Sequence, residues 1–401
     1  MSRAAVKPVP DSTPKGSLDL EDLSLSEGAP VLLRRALSRL AQDDWLEVRG
    51  DSSILEENLR TWCRTQGLGY ERRAGAPVLH RIQKGSNPAV VVNSPNDIVE
   101  VADPAWGLAP RGASIETGGP HFAFTLRRKR DVWANELHNL YKQAAANQWS
   151  AARDIPWNEL PRLPVDLEEA VCQIMTFLTE NEFAALYVPA RFIPRIHPHY
   201  REVVEVLAMQ VADEARHAEA FTRRAQAMGF GLGRTATTGQ LSLQTLVEEP
   251  DFTTAVFLLC VMGEGTFLSL LRFLQEHAPD PVTSELARLA HRDEARHVAF
   301  GTEHLRYVLQ TEPEKRSSLA AAVERRSQIL ASVSGLSPYV HDALVVLAGG
   351  GVSIPQIRTG TRLVLELHRE MHRSRQERLQ SLGFSGEQAS ELSTYHTKNF
   401  M

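Results

Sequence analysis

Apolar and polar positions alternate in two distinct ways along the chain. From about residue 131 to the end, apolar residues recur every three or four positions, as in Val203-VEVLAMQVADEARHAEAF and Leu286-ARLAHRDEARHVAF, which predicts helix almost throughout. Before that the pattern is mixed. Pro30-VLLRRALSRL and Ser53-ILEENLRTWCRTQG carry helical spacing, whereas Trp45-LEVRG, Val78-LHRI and Ala89-VVV read as short strands. The expected fold is mainly α, a helical domain preceded by a small α+β module. The expected divisions are a disordered leader at 1–17, the module at 18–93, a loop-rich linker at 94–130, the main helical domain at 131–310 and a helical extension at 311–401.

The module resembles the sulfur-relay (TusA-like) proteins over roughly 70 residues, on Ala29-PVLLRRALSRL, Asp44-WLEVRGD and Trp62-CRTQG. That family works through a cysteine in a C-P-x-P turn at the start of its first helix. Here Glu27 and Gly28 occupy the corresponding positions, so the nucleophile is missing. Cys63, beside Trp62 near the end of the second helical stretch, reads as a small apolar core residue.

Candidate chemistry lies in the helical domain, where Asp-Glu-Ala-Arg-His occurs twice, at Asp213–His217 and at Asp293–His297. A Glu and a His three residues apart share one helix face and can reach one cation. Each copy is half a metal site. Carboxylate-bridged di-metal bundles need two such motifs plus a lone inward Glu from each of two further helices. One candidate is Glu264, the single acid in Ala255-VFLLCVMGEGTFLSLLRFL, which would be costly to bury without a cation. The other is Glu182 or Glu180. They sit about 200° apart around a helix, so only one can face inward. Glu182 shares its face with Val171, Met175, Leu178, Ala185 and Leu186, which favours it; overlaying the two halves instead aligns Glu180-NEF with Glu264-GTF.

Asp213 and Asp293 suit the carboxylate that orients a metal-bound imidazole, plausibly across the bundle, with Arg216 and Arg296 paired to them. Gly263 and Gly265 flank Glu264, and glycine within a helix costs about 1 kcal/mol relative to alanine. They are expected to open a substrate pocket beside the metals, lined by Phe257, Cys260, Phe267 and Leu268. His197 and His199, in Pro194-RIHPHY, read as exposed turn residues; His368 and His372 have i,i+4 spacing without a partner Glu and read as non-ligands.

The doubled motif resembles the iron-binding core of ferritin-like di-iron oxygenases, including multicomponent monooxygenase hydroxylases and p-aminobenzoate-type N-oxygenases. The resemblance covers about residues 131–310. It implies a ferritin-like four-helix di-metal bundle with extra helices, and as ligands Glu182 (or Glu180), Glu214, His217, Glu264, Glu294 and His297. N-oxygenases of this kind add a third histidine; His291, one turn before Glu294, is a possible counterpart at a departing spacing.

Composition narrows the rest. With 44 Lys+Arg against 49 Asp+Glu, the net charge is −5, so no broad cationic surface awaits nucleic acid or a membrane. Three cysteines at wide spacing offer neither a disulfide framework nor an iron–sulfur set, which fits a cytoplasmic setting. A ligand set of carboxylate and imidazole without thiolate suits two Fe ions, or Fe with Mn, and dioxygen as co-substrate. The chain has no G-x-G-x-x-G dinucleotide loop, so a separate reductase or ferredoxin is expected to deliver electrons to a small-molecule reaction, with a homodimer as a further expectation. Metal handling without an organic substrate, and a non-catalytic scaffold, are the alternatives.

Overall fold

The computed structural model describes residues 13–75, 78–85, 91–116, 119–331 and 336–396. They fall into two units, Met1–Ser94 with Ser114–Gly119, and Pro95–Ala113 with Pro120–Met401.

In the first unit, β1 (Gly16–Asp19), β2 (Trp45–Arg49), β3 (Gly69–Arg73) and β4 (Leu79–Gln83) form one sheet in the order β1-β2-β4-β3. β1 runs parallel to β2, and the other pairs are antiparallel. The helices α1 (Ala29–Ser38) and α2 (Leu55–Thr65) supply the rest of the core. Each buries a stripe spaced by four: Ala29, Leu33 and Leu37 on α1, and Leu55, Leu59 and Cys63 on α2. Burying a side chain such as Leu33 contributes about 2 kcal/mol, and these stripes meet Leu46, Val48 and Ile82 of the sheet. A hairpin of β5 (Val91–Asn93) with β6 (Ser114–Glu116) completes the unit. The first strand starts at Gly16, two residues inside the stretch read as a leader; residues 1–12 lie outside the described residues. β1 and β6 are too short and too polar to announce themselves in the sequence.

The second unit is helical. Short segments α3 (Lys129–Val132) and α4 (Leu137–Ala146) lead into α5 (Val165–Phe192) and α6 (Arg201–Gln226). After α7 (Thr237–Val247), a continuous helix comprises α8 (Phe252–Val256), a π-helical stretch Phe257–Glu264 and α9 (Gly265–His277). α10 (Pro281–Thr311) follows. α5 packs on α6, and α9 with the π stretch packs on α10, giving the four helices of the bundle. Asp280 starts α10: its carboxylate accepts from the Thr283 N–H at 2.7 Å, and Pro281 stands at the first helical position. Phe252–His277 is long and apolar enough to cross a membrane, and most of it is buried inside the unit. α11 (Lys315–Ile329), α12 (Pro338–Gly349), α13 (Ile354–Ser381) and α14 (Gly386–Tyr395) complete the chain, with α12 against α5 and α13 against α9.

The stretch read as a linker is partly built into this unit. Val101 bridges to Arg128, Arg111 donates to Glu202, and the Tyr200 hydroxyl donates among the Val99, Glu100 and Arg127 carbonyls, of which Arg127 lies closest at 3.0 Å. His197 and His199 are buried, contrary to the expectation of exposed turn residues. His199 Nε2 accepts from the Val99 N–H at 3.1 Å, and His197 Nε2 donates to the Asp103 carbonyl at 3.1 Å.

Candidate metal centre

The two Asp-Glu-Ala-Arg-His copies lie on α6 and α10, with their Glu and His side chains buried. Glu182 comes from α5, and Glu264 from the last residue of the π stretch. These six side chains form two overlapping sets. One atom each from Glu182, Glu214, His217 and Glu294 lie within 4.8 Å of one another, as do atoms from Glu214, Glu264, Glu294 and His297. Glu214 and Glu294 belong to both sets, the position of carboxylates that bridge two cations.

Both imidazoles turn Nδ1 inward. His217 Nδ1 lies 3.4 Å from Glu182, 3.1 Å from Glu214 and 3.6 Å from Glu294. His297 Nδ1 lies 3.0 Å from Glu214 and 3.3 Å from Glu294. Both Nε2 atoms point away, to the aspartates of the opposite copy, at 3.2 Å for His217 to Asp293 and 3.3 Å for His297 to Asp213. Two arginines close this layer. Arg216 contacts both aspartates, as does Arg296. The contacts thus run across from α6 to α10 in both directions.

Electrostatics follow from burial. Desolvation, then the charge of Glu214, pushes Glu182 well above the usual carboxylate range; desolvation, then Glu294, does the same to Glu264. Burial would lower both histidines. The hydrogen bonds of His217 to Asp293 and Glu182, and for His297 the Glu214 charge and the Asp213 bond, outweigh it and hold both well above the ordinary imidazole value. Burial would raise Asp293, but the His217 hydrogen bond and charge, with Arg296, hold it below its ordinary range.

The donor set fits a pair of cations. Glu182 Oε1 and Glu264 Oε2 are buried and accept no hydrogen bond, and Glu214 Oε1 meets only the His297 imidazole, at 3.0 Å. Buried carboxylate oxygens left in this way are costly unless a cation meets them. Carboxylate and neutral imidazole donors in this number suit iron or manganese. A cation would take the place of the protons now favoured on the imidazoles and on Glu182 and Glu264.

Glu180 stands outside both sets, which corrects the reading that left it open as a ligand. Its carboxylate accepts from Gln240 Nε2 at 2.9 Å, at the edge of a shallow cavity of about 300 Å³ that also touches Phe183 and Tyr187. The overlay of the two halves misplaces it because the π stretch winds fewer degrees per residue than the unbroken α5, so equal sequence offsets do not give equal angles. His291 is also outside both sets. It is half-buried one turn before Glu294, and its Nε2 has no hydrogen-bond partner.

Gly265 lies against an arginine side chain. A Cβ on Gly265 would come within 2.5 Å of Arg378 Nε, and that guanidinium donates to the Val261 carbonyl at 3.1 Å, in the π stretch. Gly263 is buried in the same stretch. Phe257 stacks on Phe384 and Phe267 on Phe177. Cys260 faces Gly301, where an added Cβ would come within 2.4 Å. Leu268 is half-buried on α9.

Sequence reasoning missed three contributors. Trp149 Nε1 donates to Asp293 at 2.6 Å, Gln148 Nε2 donates to Asp213 at 3.1 Å, and Gln210 Nε2 donates to Glu264 at 2.9 Å. Gln210 was findable, one turn before Glu214 on an apolar face. Trp149 and Gln148 lie beyond the end of α4, where no periodicity marks them.

No family model matches the chain, and no curated protein matches it. Solved structures do. A point mutant of an R2-like ligand-binding oxidase with aerobically reconstituted Mn/Fe cofactor is 18% identical over 64% of this chain and 94% of that one, with a TM-score of 0.47. A Synechococcus protein with aldehyde deformylating oxidase activity is 17% identical over 57% of this chain and 96% of that one, with a TM-score of 0.41. An R2-like ligand-binding oxidase from Sulfolobus acidocaldarius is 19% identical over 63% of this chain and 93% of that one, with a TM-score of 0.41.

Proposed function

We propose that the chain is a ferritin-like di-metal oxygenase that uses dioxygen and external electrons to oxidise a small organic substrate, by hydroxylation, N-oxygenation or desaturation. One observation carries the reading: two four-residue ligand sets share Glu214 and Glu294 deep in the bundle, with Glu182 Oε1 and Glu264 Oε2 unmet by any hydrogen bond. Two reduced iron ions, or iron with manganese, would supply dioxygen activation when bound there.

The protein's own part is holding and shielding. Ionised, Glu182, Glu214, Glu264 and Glu294 offer four negative charges, which equal the charge of two divalent ions. Asp293 and Asp213 accept from Nε2 of His217 and His297, fixing each ring with its Nδ1 toward the centre. Arg216 and Arg296 keep those aspartates ionised, and Trp149 covers Asp293 from the outer side. Burial of all six ligands keeps bulk water from the reacting centre.

The first unit reads as a TusA-like module without sulfur-transfer chemistry. Its β1-α1-β2-α2 order with Trp62-Cys63 on α2 supports the resemblance. Burial pushes the Cys63 thiol up to about 12, so Cys63 is not a thiolate nucleophile near neutral pH.

The test is to load the full chain anaerobically with ferrous iron, count metal per chain, and measure oxygen uptake with a chemical reductant and a panel of small amines and hydrocarbons. About two irons per chain, with substrate-dependent oxygen uptake, is the expected result. Two irons whose oxygen use ends at ferric iron regardless of substrate would instead establish a ferroxidase, and absence of retained metal would overturn both readings.

A further inference from the structure

Away from the metal centre, α12, α13 and α14 border an open cavity of about 620 Å³. Four histidines line it: His341 from α12, His368 and His372 one turn apart on α13, and His396 at the end of α14. Among the described residues their nitrogens do not converge with carboxylates into a metal-ligating group. A different chemistry is set by Arg375, which is 9% exposed and lines the same cavity.

Arg375 is a buried cation with only neutral partners among the described residues. Its Nε donates to Ser393 Oγ at 3.2 Å, Nη1 to Thr266 Oγ1 at 3.1 Å and Nη2 to the Ser393 carbonyl at 3.4 Å. Those bonds leave a second N–H on each terminal nitrogen, free to donate to a carboxylate. Burial and the nearby Arg378 pull its pKa down to about 10, so it stays charged near neutrality. A buried charge without a counter-charge is expensive, and a bound anion removes that cost. The acid on the cavity wall is Asp342, whose side chain is 78% exposed and lies beside His341. Leu336, Pro338 and Met371 supply apolar wall, so the space suits an anion with a hydrocarbon body.

We propose that this cavity binds a small organic carboxylate whose charge pairs with Arg375 and whose apolar body rests against Leu336, Pro338 and Met371. The same guanidinium reaches Thr266, two residues beyond Glu264, so the site touches the helix that carries a metal-facing carboxylate. Binding does not depend on the oxygenase reading, because no metal-facing residue lines the cavity.

The experiment is calorimetric titration of the full chain, metal-free and iron-loaded, with benzoate, hexanoate, neutral benzyl alcohol and inorganic phosphate. A saturable site for benzoate or hexanoate, with benzyl alcohol and phosphate each at least about tenfold weaker, is the expected result. Arg375→Gln, checked for folding by circular dichroism, should weaken the carboxylate by about tenfold or more. His341→Glu, which adds a negative charge at a half-exposed wall position, should also weaken it, while Asp342→Asn should not. No saturable carboxylate binding, a preference for phosphate, or unchanged affinity in folded Arg375→Gln would overturn the proposal. Should Arg375→Gln fail to fold, the pair His341→Glu and Asp342→Asn decides: a loss confined to the first supports the site, and no change in either overturns it.

Discussion

His217 Nε2 lies 3.2 Å from Asp293 Oδ2, so the imidazole of one Asp-Glu-Ala-Arg-His copy is held by the aspartate of the other. The reverse contact, His297 to Asp213 at 3.3 Å, makes the pair reciprocal. Each copy therefore positions the partner's ligand rather than its own. Asp293→Asn keeps the shape and removes the charge that orients His217. Iron affinity, measured by competition with a chelator, should fall about 10- to 100-fold. Trp149→Phe, which deletes one donor to Asp293, should cost less than Asp293→Asn; equal affinity in all three proteins would show that the aspartate does not set the ring.

Glu182 and Glu180 make a sharper pair. Glu182→Gln removes a carboxylate from one of the two ligand sets, and metal content should drop from about two ions per chain toward one. Glu180→Gln touches only the Gln240 hydrogen bond and should leave the stoichiometry intact. Metal analysis after gel filtration reads both, and the opposite ranking would reinstate the overlay of the two halves.

Gly265 accommodates the Arg378 guanidinium. Gly265→Ala should force that side chain off the Val261 carbonyl and destabilise the protein by about 1–3 kcal/mol in urea denaturation. Combined with Arg378→Ala, the added methyl should cost less than it does alone. Additive losses would mean that the methyl disturbs something other than the arginine.

His304 offers a pH signature separate from the metal ligands. It is fully buried between the Thr253 hydroxyl at 3.0 Å and the Trp133 carbonyl at 2.8 Å, and burial pulls its pKa down to about 4. With Nδ1 donating to Trp133, Nε2 must be unprotonated to accept from Thr253. As pH falls below about 6.5, the unfolded chain takes up this proton and the folded one does not, so stability declines until about pH 4. The full effect is roughly 3 kcal/mol. Urea denaturation across that range should show His304→Gln with a shallower acid slope; an unchanged slope would assign the acid sensitivity elsewhere.

Much of the centre was legible from one dimension. A Glu and a His three apart share a helix face whatever surrounds the helix, so the doubled motif on α6 and α10 and the isolated Glu264 were visible as inward-facing donors. The spacing of Leu33, Leu37, Leu55 and Leu59 likewise marked α1 and α2, because amphipathic periodicity is a local property. The choice of Glu182 over Glu180 was half legible: its apolar face pointed the right way, while the overlay of the halves failed at a π stretch that no residue pattern announces.

What sequence alone determined is the set of side chains able to meet a cation, since helical geometry fixes which of them share a face. Tertiary packing decided the rest. It brought Trp149 to Asp293, filled the space beside Gly265 with Arg378, and gathered His341, His368, His372 and His396 around Arg375. Those relationships join residues from separate helices or distant parts of the chain, and only the way the elements pack fixes the distance between them.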